Sequence, residues 1–309
     1  MQNSSVYILG FGAIGKALAV FLKQQGRQVS VIRGRDRQAV LSSETVTVEL
    51  PEGKLISQTI RVSGIDHEQN LEGTVVVTSK SFANREVAAQ LKEKLKNGPV
   101  VVMQNGLGVE KPFLEAGLPS VYRCVLFNTS QLKSDGVVRY RPVKPSAIGL
   151  CRGNEEQLRE IVQQLHTPDF QFQVERDIQR VAWKKTLINV VFNSVCPLLD
   201  VDNGVFHREP EALALARSLI KSSLLIAERA GVKLSLEEVE EGLLSISRAS
   251  DGQPISTLQD IRSGRPTEID SLNFELVRLA QGHPLENEIT GIRLLGELVR
   301  IKEKINLLS

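Results

Sequence analysis

Two groups of residues in this chain have the types and spacing to do chemistry. The first is the run Trp183-Lys-Lys185-Thr-Leu-Ile-Asn189-Val-Val-Phe-Asn193. Lys185, Asn189 and Asn193 are four apart. On a helix each step of four turns by about 40°, so the three share one face over roughly 12 Å. The residues between them, Leu187, Ile188, Val190, Val191 and Phe192, are apolar. Buried polar groups require partners, and a line of them facing a cleft supplies donors to a polar ligand. The plainer alternative is an exposed polar stripe on an amphipathic helix.

The second group is Gly10-Phe11-Gly12-Ala13-Ile14-Gly15, directly after the apolar run Val6-Tyr-Ile-Leu9 and at the head of a helical pattern. This is G-x-G-x-x-G in strand-turn-helix context. Gly10 permits the tight turn, Gly12 lets backbone approach a pyrophosphate, and Gly15 lets helix pack on strand. The helix N-terminus offers free N–H groups to phosphate oxygens. About 20 residues on, the second strand ends Val29-Ser-Val-Ile-Arg33. An acid there would hold a ribose 2′-hydroxyl; an arginine suits a 2′-phosphate. Arg33 therefore predicts NADPH over NADH. Arg35 and Arg37 read as solvated loop charges.

These residues need elements to carry them. Strands are predicted at 5–10, 28–33, 46–50, 56–62, 74–78, 99–103, 121–127, 137–140 and 170–174, with helices at 13–25, 83–96, 109–116 and 153–166. Strand–helix alternation implies a parallel sheet covered on both faces. The runs 46–50 and 56–62 read as an antiparallel hairpin. From about 176 only helices follow: 177–199, 209–231, 236–249, 257–263, 267–281 and 288–306. The expectation is a Rossmann-type α/β dinucleotide-binding domain over 1–175 and an all-α domain over 176–309. Two further loops fall at the carboxyl edge of predicted parallel strands, where ligands bind: Ser79-Lys80-Ser81 and Gln104-Asn105-Gly106.

Composition bounds the rest. The length favours two domains. A formal net charge of +2 argues against a nucleic-acid or membrane surface. Cys124, Cys151 and Cys196 form no C-x-x-C pair, and the four histidines show no ligand spacing. No disulfide framework and no metal site are expected, and a reducing cytoplasm fits. The expected partner is a small molecule. Self-association through the helical part, as a homodimer, is compatible with the sequence.

Taken together, the ordered motifs resemble those of the ketopantoate reductase family, over nearly the whole chain. They are G-F-G-A-I-G, V-T-S-K at 77–80, Q-N-G-L-G at 104–108, W-K-K-T-L-I-N-V-V-F-N, Asp202-Asn203-Gly204, the segment from Ser256, and Thr267-Glu268-Ile-Asp270. The resemblance implies NADPH-dependent reduction of 2-dehydropantoate (ketopantoate) to pantoate. It implies Lys185 as proton donor and Glu268 as its supporting acid. It further implies Asn189, Asn193 and Asn203 as substrate amides, and Ser256 and Asn105 as groups that hold substrate or order the nicotinamide end. Lys80 is implied near the cofactor and Arg33 at the 2′-phosphate.

Two of these residues have structural alternatives. Ser256 opens S-x-x-Q, a capping-box pattern. Glu268 falls in the first turn of the predicted helix 267–281, where the dipole favours an acid. The chain also departs from the family pattern. Ala83 and Asn84 follow Phe82, Phe274 stands where glycine is common, and Pro284-Leu-Glu-Asn287 is displaced. These departures leave room for another branched 2-oxo acid as substrate. A non-catalytic NADP-binding sensor is the rival of a different class, and retention of Lys185 and Glu268 counts against it.

Overall fold

Near-continuous apolar runs, whose successive side chains point to opposite faces, build two cores on one sheet. In the computed structural model, which describes residues 5–34, 36–133 and 135–308, the first elements are β1 (Ser5–Leu9), α1 (Ala13–Gln24) and β2 (Val29–Arg33). A hairpin follows, β3 (Ser42–Glu49) and β4 (Leu55–Gly64). Then come β5 (Gly73–Val77), α2 (Asn84–Lys94), β6 (Val100–Val102), α3 (Lys111–Glu115), β7 (Val121–Val125), β8 (Asn128–Leu132), β9 (Val138–Pro142), β10 (Ser146–Arg152), α4 (Glu155–Leu165) and β11 (Phe172–Val174). All the strands lie in one sheet, ordered β11-β10-β7-β6-β5-β1-β2-β4-β3-β9-β8.

The central strands run parallel: β1 pairs with β2 and β5, β5 with β6, and β6 with β7. Val6, Ile8, Val29, Val31, Val76, Val101 and Tyr122 face one core with Leu18, Phe21 and Leu22 of α1 and Leu158 of α4. Leu9, Ile32, Val75, Val77, Val100, Val102 and Val121 face the other, with Val87 and Leu91 of α2 and Phe113 of α3. This is the period of two expected of strands covered on both faces.

The hairpin β3–β4 is antiparallel as expected. Two strands were not anticipated. β8 is polar and lies at the sheet edge, paired on one side only, so it carries no alternation to read. β10 reads Ser-Ala-Ile-Gly-Leu-Cys-Arg, too poor in β-branched residues to stand out; pairing with β7 and β11 makes it a strand. Arg35 lies outside the described residues.

The chain divides into two units. One takes the residues up to Gln104 and Val109–Ile178; the other takes Asn105–Gly108 and everything from Gln179. The second is helical: α5 (Ile178–Leu199), α6 (Val205–Arg208), α7 (Pro210–Arg229), α8 (Leu236–Ala249), α9 (Ser256–Arg262), α10 (Asn273–Ala280) and α11 (Thr290–Leu308). Nearly all of α5 from Thr186 to Pro197 is buried, Asn189 excepted, so α5 is the core of its unit. Asp200 ends it in the left-handed region (φ 57°), and the Val201 N–H bonds back to the Cys196 carbonyl. α8 begins on Ser235, whose hydroxyl accepts the Glu238 N–H, with Glu237 and Glu238 in the first turn.

One predicted helix is shorter. Glu268 does not sit in the first turn of a helix 267–281. It precedes a 3-10 turn, Ile269–Ser271, and α10 starts only at Asn273. The reason is a contact distant in sequence: the Leu107 N–H takes the Ser271 carbonyl at 3.0 Å, so that carbonyl is lost to the helix ladder.

Candidate active site

The glycine loop is built as a backbone cradle. Gly10 adopts φ 127°, and a Cβ there would lie 2.5 Å from the Ser79 amide nitrogen. A Cβ on Gly15 would lie 2.0 Å from the Gly10 carbonyl oxygen. Both positions are closed to any side chain. Gly12 differs: a Cβ there would meet nothing within 4 Å. Its surface is open, and it caps α1, whose first turn carries no acid. Ala13 and Ile14 follow as the opening residues of that helix. An open, side-chain-free backbone at a helix N-terminus fits a pyrophosphate. Nearby, the Ser79 hydroxyl is buried without a hydrogen-bond partner among the described residues. Lys80 follows it, half-buried, on the same carboxyl edge of the sheet.

The carboxyl end of β2 holds more than Arg33. The Arg33 guanidinium pairs with Glu44 of β3 and lies 5.0 Å from the Phe11 ring centroid. Lys16 lies 4.7 Å from the same centroid. Arg37 stays exposed in its loop and bonds Asp66 at 3.1 Å and Glu86 at 2.7 Å. Ala83 packs under the sheet, while Asn84 is buried and exchanges amide hydrogen bonds of 2.7 Å with Gln104. Gln104 also donates to the Ser79 carbonyl at 2.7 Å. Neither role was visible in sequence, because the partners lie 20 and 25 residues apart.

In the helical unit three residues far apart in sequence come together. Lys185 Nζ donates to Asn105 Oδ1 at 3.2 Å, and Asn105 Nδ2 donates to Glu268 Oε2 at 3.1 Å. The amide orientation is fixed by charge: its oxygen must face the ammonium and its nitrogen the carboxylate. Asn105 thus bridges the lysine and the acid. Gly106, next to it, holds φ 93°, and a Cβ there would sit 2.2 Å from the Ser271 carbonyl oxygen. Only glycine lets this loop lie close enough.

Asn189 and Asn193 occupy the next turns of α5, but they differ. Asn189 is half-buried; Asn193 is buried and heavily engaged. Its Oδ1 accepts from Thr257 Oγ1 at 2.7 Å, Ser256 Oγ at 3.2 Å and the Thr257 N–H at 3.3 Å, while its Nδ2 donates to the Asn189 carbonyl at 3.0 Å. The capping-box reading of Ser256 is therefore corrected. Ser256 is the first residue of α9, not its cap, and its hydroxyl makes no capping bond to its own helix. Asn193, from another helix, satisfies an orphan N–H of α9 instead. Thr257 was missed, since its partner is 64 residues away.

Asn203 reaches the same segment from its other end. Its N–H bonds the Gln253 carbonyl at 3.0 Å, its carbonyl accepts from Ser247 Oγ at 2.7 Å, and its Nδ2 donates to Ser250 Oγ at 3.1 Å. Ser250 gives its own proton to the Ile246 carbonyl, so it can only accept from Asn203. Asn203 Oδ1 is then left buried with no partner among the described residues. Such an acceptor wants a donor. Asp202 holds this turn by accepting from the Gly204 and Gly252 N–H groups and from Arg208. The Arg208 hydrogen bond, more than these N–H groups, pulls the Asp202 carboxyl below its usual range. Phe274 packs with Ile261, Ile269 and Val299 and lies under the Arg300 guanidinium, 3.6 Å from its centre. Its bulk is absorbed in α10–α11 packing.

Comparison with known proteins follows the same two-part layout. Residues 6–164 match the family model described as ketopantoate reductase PanE/ApbA, and residues 177–303 match the model of its C-terminal part. The chain belongs to the ketopantoate reductase family. Membership makes it an oxidoreductase that works with a nicotinamide cofactor. A 2-dehydropantoate 2-reductase of Pyrococcus horikoshii is 28% identical over 303 residues, covering 97% of this chain and 98% of that protein. One from Shigella flexneri is 25% identical over 305 residues, covering 96% and 95%. Among solved structures, a dimeric ketopantoate reductase from Staphylococcus aureus shares the fold (TM-score 0.80, 22% identity, 98% and 99% coverage). So does D-mandelate dehydrogenase in complex with NADH and anilino(oxo)acetate (TM-score 0.83, 19% identity, 98% and 99% coverage). No helix among the described residues is long and apolar enough to cross a membrane.

Proposed function

We propose that this protein reduces 2-dehydropantoate to pantoate with NADPH. The observation that carries the reading is the bridge from Lys185 through Asn105 to Glu268. When bound, the nicotinamide supplies the hydride that adds to the carbonyl carbon of the 2-oxo acid. Lys185 stabilises the charge that develops on the carbonyl oxygen and gives it a proton. Asn105 fixes the direction of the ammonium, and Glu268 fixes Asn105. The Gly10–Gly15 cradle, with Phe11, Ala13 and Ile14 in its turn, holds the pyrophosphate; Arg33 takes the 2′-phosphate, and Lys80 serves the cofactor side.

Substrate choice rests on the amides. Asn189 is the half-buried amide next to Lys185 on its helix face. Asn193 and Ser256 brace the segment that Asn203 also touches. Asn203 Oδ1 is a buried acceptor with no partner among the described residues, and ketopantoate carries a terminal hydroxyl that can donate to it. A site that hydrogen-bonds a hydroxyl rejects an analogue lacking it by as much as about 10⁴–10⁵-fold. The test is kcat/KM for ketopantoate and for 2-ketoisovalerate, on the unmodified protein and on Asn203→Ala. Strong preference for ketopantoate is expected, narrowing in the variant through loss of ketopantoate activity. Equal rates on the unmodified protein would make it a general reductase of branched 2-oxo acids.

A further inference from the structure

β2 ends on Arg33 and not on an acid, yet the fold delivers one there. Glu44 comes from β3, the outer strand of the hairpin, and closes on the Arg33 guanidinium. Both side chains keep 36% of their surface exposed, so a ligand can reach either. Around Phe11 the structure gathers two cations and one carboxylate: Lys16, Arg33 and Glu44. They feel one another. Burial lowers the Lys16 ammonium, with Glu44 opposing that shift and Arg33 adding to it.

This cluster lies at the strand end next to the glycine loop, where a dinucleotide places its adenosine ribose. A 2′-phosphate there must take Arg33 from Glu44 and then tolerate the carboxylate beside it. A bare 2′-hydroxyl meets no repulsion and can donate to Glu44.

Resting on the reading of a dinucleotide bound at the Gly10–Gly15 loop, we infer that Glu44 sets the preference between phosphorylated and unphosphorylated cofactor. It competes with the 2′-phosphate for Arg33 and accepts the free ribose hydroxyl in its absence. The pair keeps the discrimination modest, where a lone arginine would make it steep.

The experiment is binding, with no turnover needed. Isothermal titration measures Kd for NADPH and NADH, and for adenosine 2′,5′-bisphosphate and adenosine 5′-phosphate, on the unmodified protein, Glu44→Gln and Arg33→Gln. Removing one like charge at a half-exposed site should tighten the two 2′-phosphorylated ligands by about tenfold. NADH should weaken in Glu44→Gln by about threefold, on loss of the carboxylate acceptor. Arg33→Gln should weaken only the 2′-phosphorylated pair. A second variant, Glu44→Ala, should give the same shift toward the phosphorylated ligands, and a thermal melt checks that each variant is folded. An unchanged NADH-to-NADPH ratio in both folded Glu44 variants overturns the inference, even where the unmodified protein prefers NADPH. A shifted ratio on a protein that binds both cofactors equally supports the role of Glu44 while defeating the NADPH reading. Failure of every dinucleotide to bind defeats both.

Discussion

The two regions proposed to hold ligands are made in opposite ways. The glycine loop works through the absence of side chains. Gly10 and Gly15 are closed because backbone already fills the space, and Gly12 is open because nothing does. The Lys185 region works through side chains that hold one another. Asn105 meets a lysine 80 residues away and an acid 163 residues away, and Asn193 caps a helix 64 residues on. The glycine spacing of the cradle is local in sequence, although Thr78 and Ser79 close in on Gly10 from a distant strand end. A relay of amides is global, and every member depends on distant elements staying in place.

The largest expected effect tests the relay. Lys185→Ala should lower kcat by about 10²–10⁴-fold while leaving NADPH affinity nearly unchanged. Asn105→Ala, which leaves both charges but removes the bridge, should show a smaller fall in kcat than Lys185→Ala. Steady-state kinetics with a fluorescence titration of NADPH decides both. A near-normal kcat in folded Lys185→Ala would return that residue to a plain helix charge.

The next effect separates open from closed glycines. Gly12→Ala adds a methyl into empty space, so the melting temperature should stay put while dinucleotide affinity falls at least about tenfold. Gly15→Ala pushes a methyl into the Gly10 carbonyl, so stability and binding should fall together. Equal melting temperatures for the two variants would remove the distinction drawn between these positions.

The smallest effect concerns the turn that presents Asn203. The Asp202 carboxyl sits below its ordinary range, so its contribution to stability is full above the unfolded carboxylate value of about 4 and fades as pH falls through the lowered folded value. Asp202→Asn should lower the melting temperature by about 2–4 °C at pH 7. The gap should shrink in acid, where the native carboxyl is protonated too. A gap constant from pH 7 to strongly acid solution would mean that the charge of Asp202 does not hold this turn.

Much of the architecture was legible in sequence, for a local reason. The unbroken apolar runs of β1, β5 and β6 and the capped, amphipathic pattern of α8 encode their elements within a few residues. So does the glycine spacing, because φ and the missing Cβ belong to single positions. Where the signal is non-local the reading failed. β8 and β10 become strands by pairing, and the helix expected from 267 is cut short by Leu107 taking a carbonyl.

The sequence alone determined which chemical groups were available: an ammonium, two acids, several amides and a side-chain-free loop. Tertiary structure decided what each one faces. It put Asn105 between Lys185 and Glu268, spent the Asn193 oxygen on α9, left the Asn203 oxygen with no partner among the described residues, and brought Glu44 to Arg33. Hydrogen bonds and ion pairs act over about 3 Å regardless of sequence separation. Their partners therefore exist only once the chain has folded.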